Sequence, residues 1–128
     1  MKYNYTTPEE AVISLEIAYT NRNLEAILAS KDFETEARLI LESKSYEITD
    51  EIILEVAKLL ELSLIKSLQD NDYPNFAAAR REFSELNKLK DNIFFLEERI
   101  FYPDSTCHIN KIFLSNNDNL WKVAMVEE

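Results

Sequence analysis

Glycine is absent from the 128 residues of this chain, and cysteine and histidine occur once each. Phosphate-cradling loops and dinucleotide fingerprints need glycine's freedom at positive φ and its lack of a side chain, so nucleotide-loop enzymes are disfavoured. Tight turns must instead use Asn, Asp and Pro, which cluster at Asn71-Asp72-Tyr73-Pro74, Lys90-Asp91-Asn92, Tyr102-Pro103-Asp104 and Asn116-Asn117-Asp118-Asn119. Cys107 has no second cysteine to bridge, and His108 gives it no set with zinc-ligand spacing. The scattered carboxylates have no calcium-loop spacing, so the sequence predicts neither a metal nor a cofactor. No apolar run approaches the roughly 20 residues of a membrane helix, and the Met-Lys-Tyr-Asn opening lacks a signal peptide's hydrophobic centre; the expectation is a cytosolic protein.

Positive charge is also scarce: 14 Lys and Arg stand against 24 Asp and Glu, a net charge of −10. That balance opposes nucleic acid and anionic membranes as partners and favours a basic one. Residues 1–72 hold 15 of the acidic and 7 of the basic side chains, net −8, so the first half supplies most of the field.

What is present suffices for one core. With 46% hydrophobic residues, the chain is expected to form a single domain over residues 1–128. Thr7-Pro8-Glu9-Glu10 combines a cap, a proline suited to a first helical position and a glutamate three residues on, followed by Ala11, Val12, Leu15, Ala18 and Tyr19 at helical spacing. Asn23 caps a short helix bearing Leu24, Ile27 and Leu28, and Asp32 caps another bearing Phe33, Ala37, Ile40 and Leu41, so three early helices should pack together. A longer helix from about Asp50 to Leu68, capped by Thr49, carries the stripe Ile53, Val56, Leu60 and Leu64, with Leu54, Leu62 and Ile65 off it, which predicts burial on two sides. Four strands follow, Ala79 to Leu86, Ile93 to Tyr102, Ile109 to Ser115 and Leu120 to Val126; in the last, Trp121, Val123 and Met125 should share an apolar face. The pattern is α+β: N-terminal helices packed on a C-terminal antiparallel sheet of about four strands.

The strings Thr7-Pro8-Glu9-Glu10-Ala11, Asn21-Arg22-Asn23-Leu24-Glu25-Ala26, Lys31-Asp32-Phe33-Glu34-Thr35-Glu36-Ala37 and Trp121-Lys122-Val123 resemble immunity proteins of the nuclear-transport-factor-two-like fold. The resemblance spans nearly the whole chain. It implies a curved antiparallel sheet wrapped round helices as a cone, and a role in binding and neutralising a bacterial toxin made by the same cell. It carries over no catalytic residue. The chain departs from the wider plan in reading as helix where a short strand is usual, with Ser43 to Ile48 left as a place for an edge strand.

Enzymes of that superfamily resemble one another in placing Asp, His or Tyr inside the cone, and the corresponding cavity candidates are Tyr19, Tyr73, Glu98, Tyr102, His108 and Trp121. His108 lacks an identifiable orienting group, and Trp121 and Phe113 read as core. Adjacent strand residues face opposite sides, so one of Glu97 and Glu98 must point inward, where Arg80, Arg81 or Arg99 could pair with it. The remaining helical carboxylates, Glu16 among them, read as solvated faces that steer a partner, with Glu34, Glu36, Glu47, Glu51 and Glu55 as the partner-binding candidates. The expectation is therefore a non-enzymatic binding protein whose partner is a cognate toxin of basic character, with a homodimer left open. The alternative is a small-molecule-binding or proton-transfer enzyme that uses the cone.

Overall fold

Every helix begins where a short polar side chain accepts a hydrogen bond from the first turn, which otherwise leaves its N–H groups without partners. The computed structural model describes residues 3–44 and 47–128. Thr7 accepts from the Glu10 amide at 3.1 Å to start α1 (Pro8–Thr20), and Asn23 accepts from Ala26 at 3.2 Å to start α2 (Leu24–Ser30). Asp32 accepts from Thr35 at 3.0 Å to start α3 (Phe33–Ser43), and Thr49 accepts from Ile52 at 3.2 Å to start α4 (Asp50–Asn71). All four caps are those expected from sequence. The suggested edge strand fares otherwise: Ser43 closes α3, Glu47 and Ile48 have no regular structure, and Ser45 and Tyr46 lie outside the described residues.

Five antiparallel strands follow: β1 (Arg80–Phe83), β2 (Asn87–Lys90), β3 (Ile93–Phe101), β4 (Cys107–Asn117) and β5 (Leu120–Glu127). Their order is β1-β3-β4-β5, with β2 pairing β3 beside β1. The single strand expected over Ala79 to Leu86 is cut short, and residues 87–90, which the sequence pattern assigned to no strand, form one of their own. Ser84 explains the break, because its hydroxyl takes the Glu97 amide at 2.8 Å in place of a backbone partner. Between β4 and β5 the chain reverses through Asp118 and Asn119, both at positive φ (56° and 64°), between the paired residues Asn117 and Leu120. This is the two-residue hairpin turn that Asn and Asp tolerate when glycine is missing.

A bulge interrupts β5. Leu114 opposes Val123, but Phe113 opposes Met125, so the extra residue turns Met125 to the face opposite Val123 and corrects the expected alternation. The Val123 carbonyl there accepts from the Asp32 amide at 2.9 Å, which fastens the start of α3 to the sheet.

The main core joins α1 and α2 to one sheet face through Ala11, Val12, Leu15, Ala18 and Ile27 against Leu96, Ile112, Leu114 and Val123. Each fully buried aliphatic side chain there, such as Ile27 or Leu96, contributes about 2 kcal/mol. The three early helices do not form one layer. α3 instead pairs with α4 through Ala37, Leu41, Ile53 and Ala57, and its Leu39 reaches the other sheet face at Ile93, Phe113 and Ala124. α4 packs against α3 through Ile53 and Ala57 and against the main core through Leu64 and Leu68, all on one stripe, so Leu54, Leu59 and Leu62 off it remain 56%, 64% and 50% exposed, and the two-sided burial expected of α4 is not found.

Asp32 links these layers. Besides capping α3, it accepts from the Thr35 hydroxyl at 2.7 Å and from the buried Ser115 hydroxyl at 2.6 Å. Burial alone would raise its carboxyl, but the bonds from Ser115 and Thr35, with the charge of Lys122, outweigh burial and hold it below 3.8. Asp32→Ala should cost about 2–3 kcal/mol by denaturant unfolding, the sum of a lost cap and an unpartnered Ser115. Because the folded carboxyl lies below its unfolded value of 3.8, the part of this stabilisation that depends on its charge is complete above 3.8 and is lost as pH falls through the folded value, so the gap between wild type and variant should narrow in acid below 3.8. A gap that stays constant in acid would contradict the assignment.

Candidate functional site

Strand alternation turns Glu98 toward the helices, together with Leu96 and Ile100 on β3 and the paired Asn110 and Ile112 on β4. From α1, Glu16 projects onto the same face between Val12 and Tyr19, and from β1 Arg81 enters beside them. The Arg81 Nε donates to Glu16 Oε1 and lies 3.9 Å from Glu98 Oε2. Glu98 is 1% exposed, and its Oε2 has no hydrogen-bond partner.

One guanidinium thus faces two buried carboxyls. Burial raises the Glu98 carboxyl first, and the hydrogen bond and charge of Glu16 raise it further, against the opposing effects of Arg81 and Asn110; the result is about 9. A neutral Glu98 resolves the conflict, since a carboxylic acid can turn its O–H toward Glu16 and two carboxylates cannot. Tyr19 nearby is pushed up to about 12, by burial and then by the charge of Glu36. Together with Phe76, Asn110 and Ile112, Glu16, Tyr19 and Glu98 line a cavity of about 80 Å³.

Of the six cavity candidates, the structure brings together Tyr19 and Glu98. Trp121 belongs to the core at the other end of this face, 5.0 Å edge-on to Phe94. Tyr73 lies under the guanidinium of Arg22 at 4.9 Å, and Tyr102 meets the exposed His108 at 5.7 Å. Neighbouring residues on β4 face opposite ways, so Cys107 and His108 form no thiol–imidazole pair. Sequence reasoning assigned Glu16 to a solvated face, and this is corrected: it is 5% exposed. Its position inside the arc of Val12, Leu15 and Tyr19 was the signal. The inward carboxylate is Glu98, and of the three arginines offered as its partner Arg81 is the one within 4 Å.

The partner-binding candidates divide. Glu34, Glu47, Glu51 and Glu55 are exposed, whereas Glu36 is half-buried beside Lys31 at 3.8 Å, and burial raises its carboxyl despite that lysine. Glu34 lies on an open groove of about 600 Å³ between the start of α3, α4 and the β4–β5 turn, and Glu55 lies on an adjoining depression of α4. Among the described residues, no group of three or more His, Cys, Asp and Glu could hold a metal ion, and no helix is long and apolar enough to cross a membrane.

No protein-family model matches the sequence, and no curated protein matches it. Among solved structures, a candidate NTF2-like transpeptidase from Campylobacter jejuni is similar over 93% of this chain and 98% of that one, with a TM-score of 0.52 and 12% identity. That likeness shows the fold: four helices followed by a five-stranded antiparallel sheet in the NTF2-like arrangement.

The cluster has a thermodynamic signature. The folded Glu98 holds its proton to about pH 9, against an ordinary value of 4.5, so its effect on stability is most favourable below 4.5 and is lost as pH rises toward 9. Glu98→Gln removes that titration. Its melting temperature should exceed the wild type's by about 4 °C or more at pH 8, with the gap closing toward pH 4.5. A gap independent of pH would reject a neutral Glu98.

Proposed function

We propose that the protein is an immunity protein, one that binds and neutralises a cognate bacterial toxin through its outer surface. The observation that carries this reading is the state of the cone. Its cavity of about 80 Å³ falls well short of the roughly 300 Å³ at which small-molecule sites begin, and Arg81 holds Glu16 and Glu98 beside it. An open groove of about 600 Å³ lies outside it, between the start of α3, α4 and the β4–β5 turn. A chain of net charge −10 is suited to rapid capture of a basic protein, because complementary charge raises the association rate more than it slows dissociation. The resemblance of the opening strings to immunity proteins points the same way.

One observation favours a second reading. Glu98 is a buried acid with an unpartnered oxygen beside Tyr19 and Asn110, an arrangement that also suits proton transfer to a small ligand, and the similar structure from Campylobacter jejuni is that of a candidate transpeptidase. The two readings differ in what Glu98→Gln does: it abolishes turnover in an enzyme and leaves toxin binding intact in an immunity protein.

Co-expression with the product of the adjacent gene should relieve that product's toxicity and yield a complex. In stopped-flow mixing, association should slow about tenfold between 0.05 and 0.5 M salt while dissociation changes less than about twofold. A neighbouring product that neither binds nor harms the cell would contradict the immunity reading; a tight complex whose association ignores salt would contradict the electrostatic part.

A further inference from the structure

Leu54, Leu59 and Leu62 are unusual in this molecule because they lie on one exposed side of one helix, away from the Ile53 and Ala57 face that α3 covers. Single exposed leucines need no explanation, but a contiguous set beside a groove does. Leu54 is shared by the groove of about 600 Å³ and by the shallow depression next to it, where Glu55, Lys58 and Leu59 meet. Leu120, 49% exposed at the hairpin turn, lines the groove's far side, with Leu28 and Phe33 also lining it. The result is a trough with leucines on both sides, continuous with an apolar ridge.

Its charges are not balanced. Lys31 and Lys58 are occupied by Glu36 and Glu61, at 3.8 Å and 3.7 Å, and Lys122, the third lysine on the groove, is set against Asp32, whose carboxyl its charge helps to lower. Glu34 and Asp118 on the groove, Glu55 on the depression and Glu51 a turn before it enter no ion pair among the described residues. A segment with apolar side chains on one face and Lys or Arg on its flanks would bury the leucines and neutralise these carboxylates together. A second copy of this chain would bring −10 to −10 and is repelled.

We infer that the α4 ridge and the groove beside it form the docking surface for a basic, amphipathic segment of a protein partner. This rests on the binding reading above and names the face that does the binding. Leu54 and Leu62 are the apolar anchors, and Glu34 and Glu55 steer the partner's cations.

A defined probe tests the surface without the toxin: a synthetic helical peptide with leucines at i, i+3, i+4 and i+7 and lysine elsewhere, titrated into the isotope-labelled full chain. Saturable amide shifts should be confined to residues 28–34, 54–62 and 117–122, and the same peptide with glutamate for lysine should give none. Leu54→Ser with Leu62→Ser should weaken binding about tenfold or more with melting unchanged, because both side chains are already half in water. Glu34→Gln with Glu55→Gln should weaken it less and flatten its salt dependence. Shifts centred elsewhere, undiminished binding by the serine variant, or a dimer that the serine variant disperses would each overturn the inference. With the adjacent gene product, full binding by the serine variant sinks this surface and leaves immunity standing. Peptide binding here without any toxin partner keeps the surface and sinks immunity.

Discussion

One cation serves two buried carboxyls, and much of the molecule depends on how that is resolved. Arg81 enters from β1, Glu16 from α1 and Glu98 from β3, so the cluster joins the edge of the sheet, its middle and the helix that covers it. Removing the cation alone would strand two acids away from water, a loss of about 3–5 kcal/mol. The proton held by Glu98 lets the arrangement persist at neutral pH. What remains of the cone is a cavity of about 80 Å³ lined by Glu16, Tyr19 and Glu98.

A second junction directs the outer surface. Asp32 binds α3 to the bulge of β5 and to Ser115 of β4, and from that anchor α3 runs to α4, not to α1. Leu39 then covers the second sheet face while Ala37 and Leu41 cover one side of α4. The other side of α4 is left to solvent with its leucines in place. The same anchor therefore stabilises the fold and opens the groove beside Leu54.

Local signals were legible in the sequence and tertiary choices were not. The caps Thr7, Asn23, Asp32 and Thr49 each need one side chain and one amide three residues on, and all four hold. The change from helical to alternating spacing placed β3 and β5 to within a residue, while β4 runs two residues beyond Ile109 to Ser115 at each end. The break at Ser84 depends on a hydroxyl competing for Glu97, and the bulge sits where Asp32 binds Val123; both partners are distant in the chain. Glu16 was misread because a glutamate on a helix is usually solvated, although its place within the apolar arc argued otherwise. Strand parity and the helical stripe turn Glu98 and Tyr19 inward, and parity puts Trp121 in the core, whereas nothing but residue type singles out Tyr73, Tyr102 and His108.

The claim that unites these features is that the cone holds the fold together and the outer face does the binding. Its most direct test replaces the cluster as a unit, Glu16→Leu with Arg81→Met and Glu98→Leu, and measures both thermal stability and affinity for the partner across wild type and variant. Apolar groups of similar volume should leave the protein folded and at least as stable as wild type, since no buried charge is left unpaired, and the affinity should change by less than about twofold. A variant that keeps the wild-type circular dichroism and melting but loses its binding, or loses turnover of a small substrate, would place the function inside the cone and contradict the account.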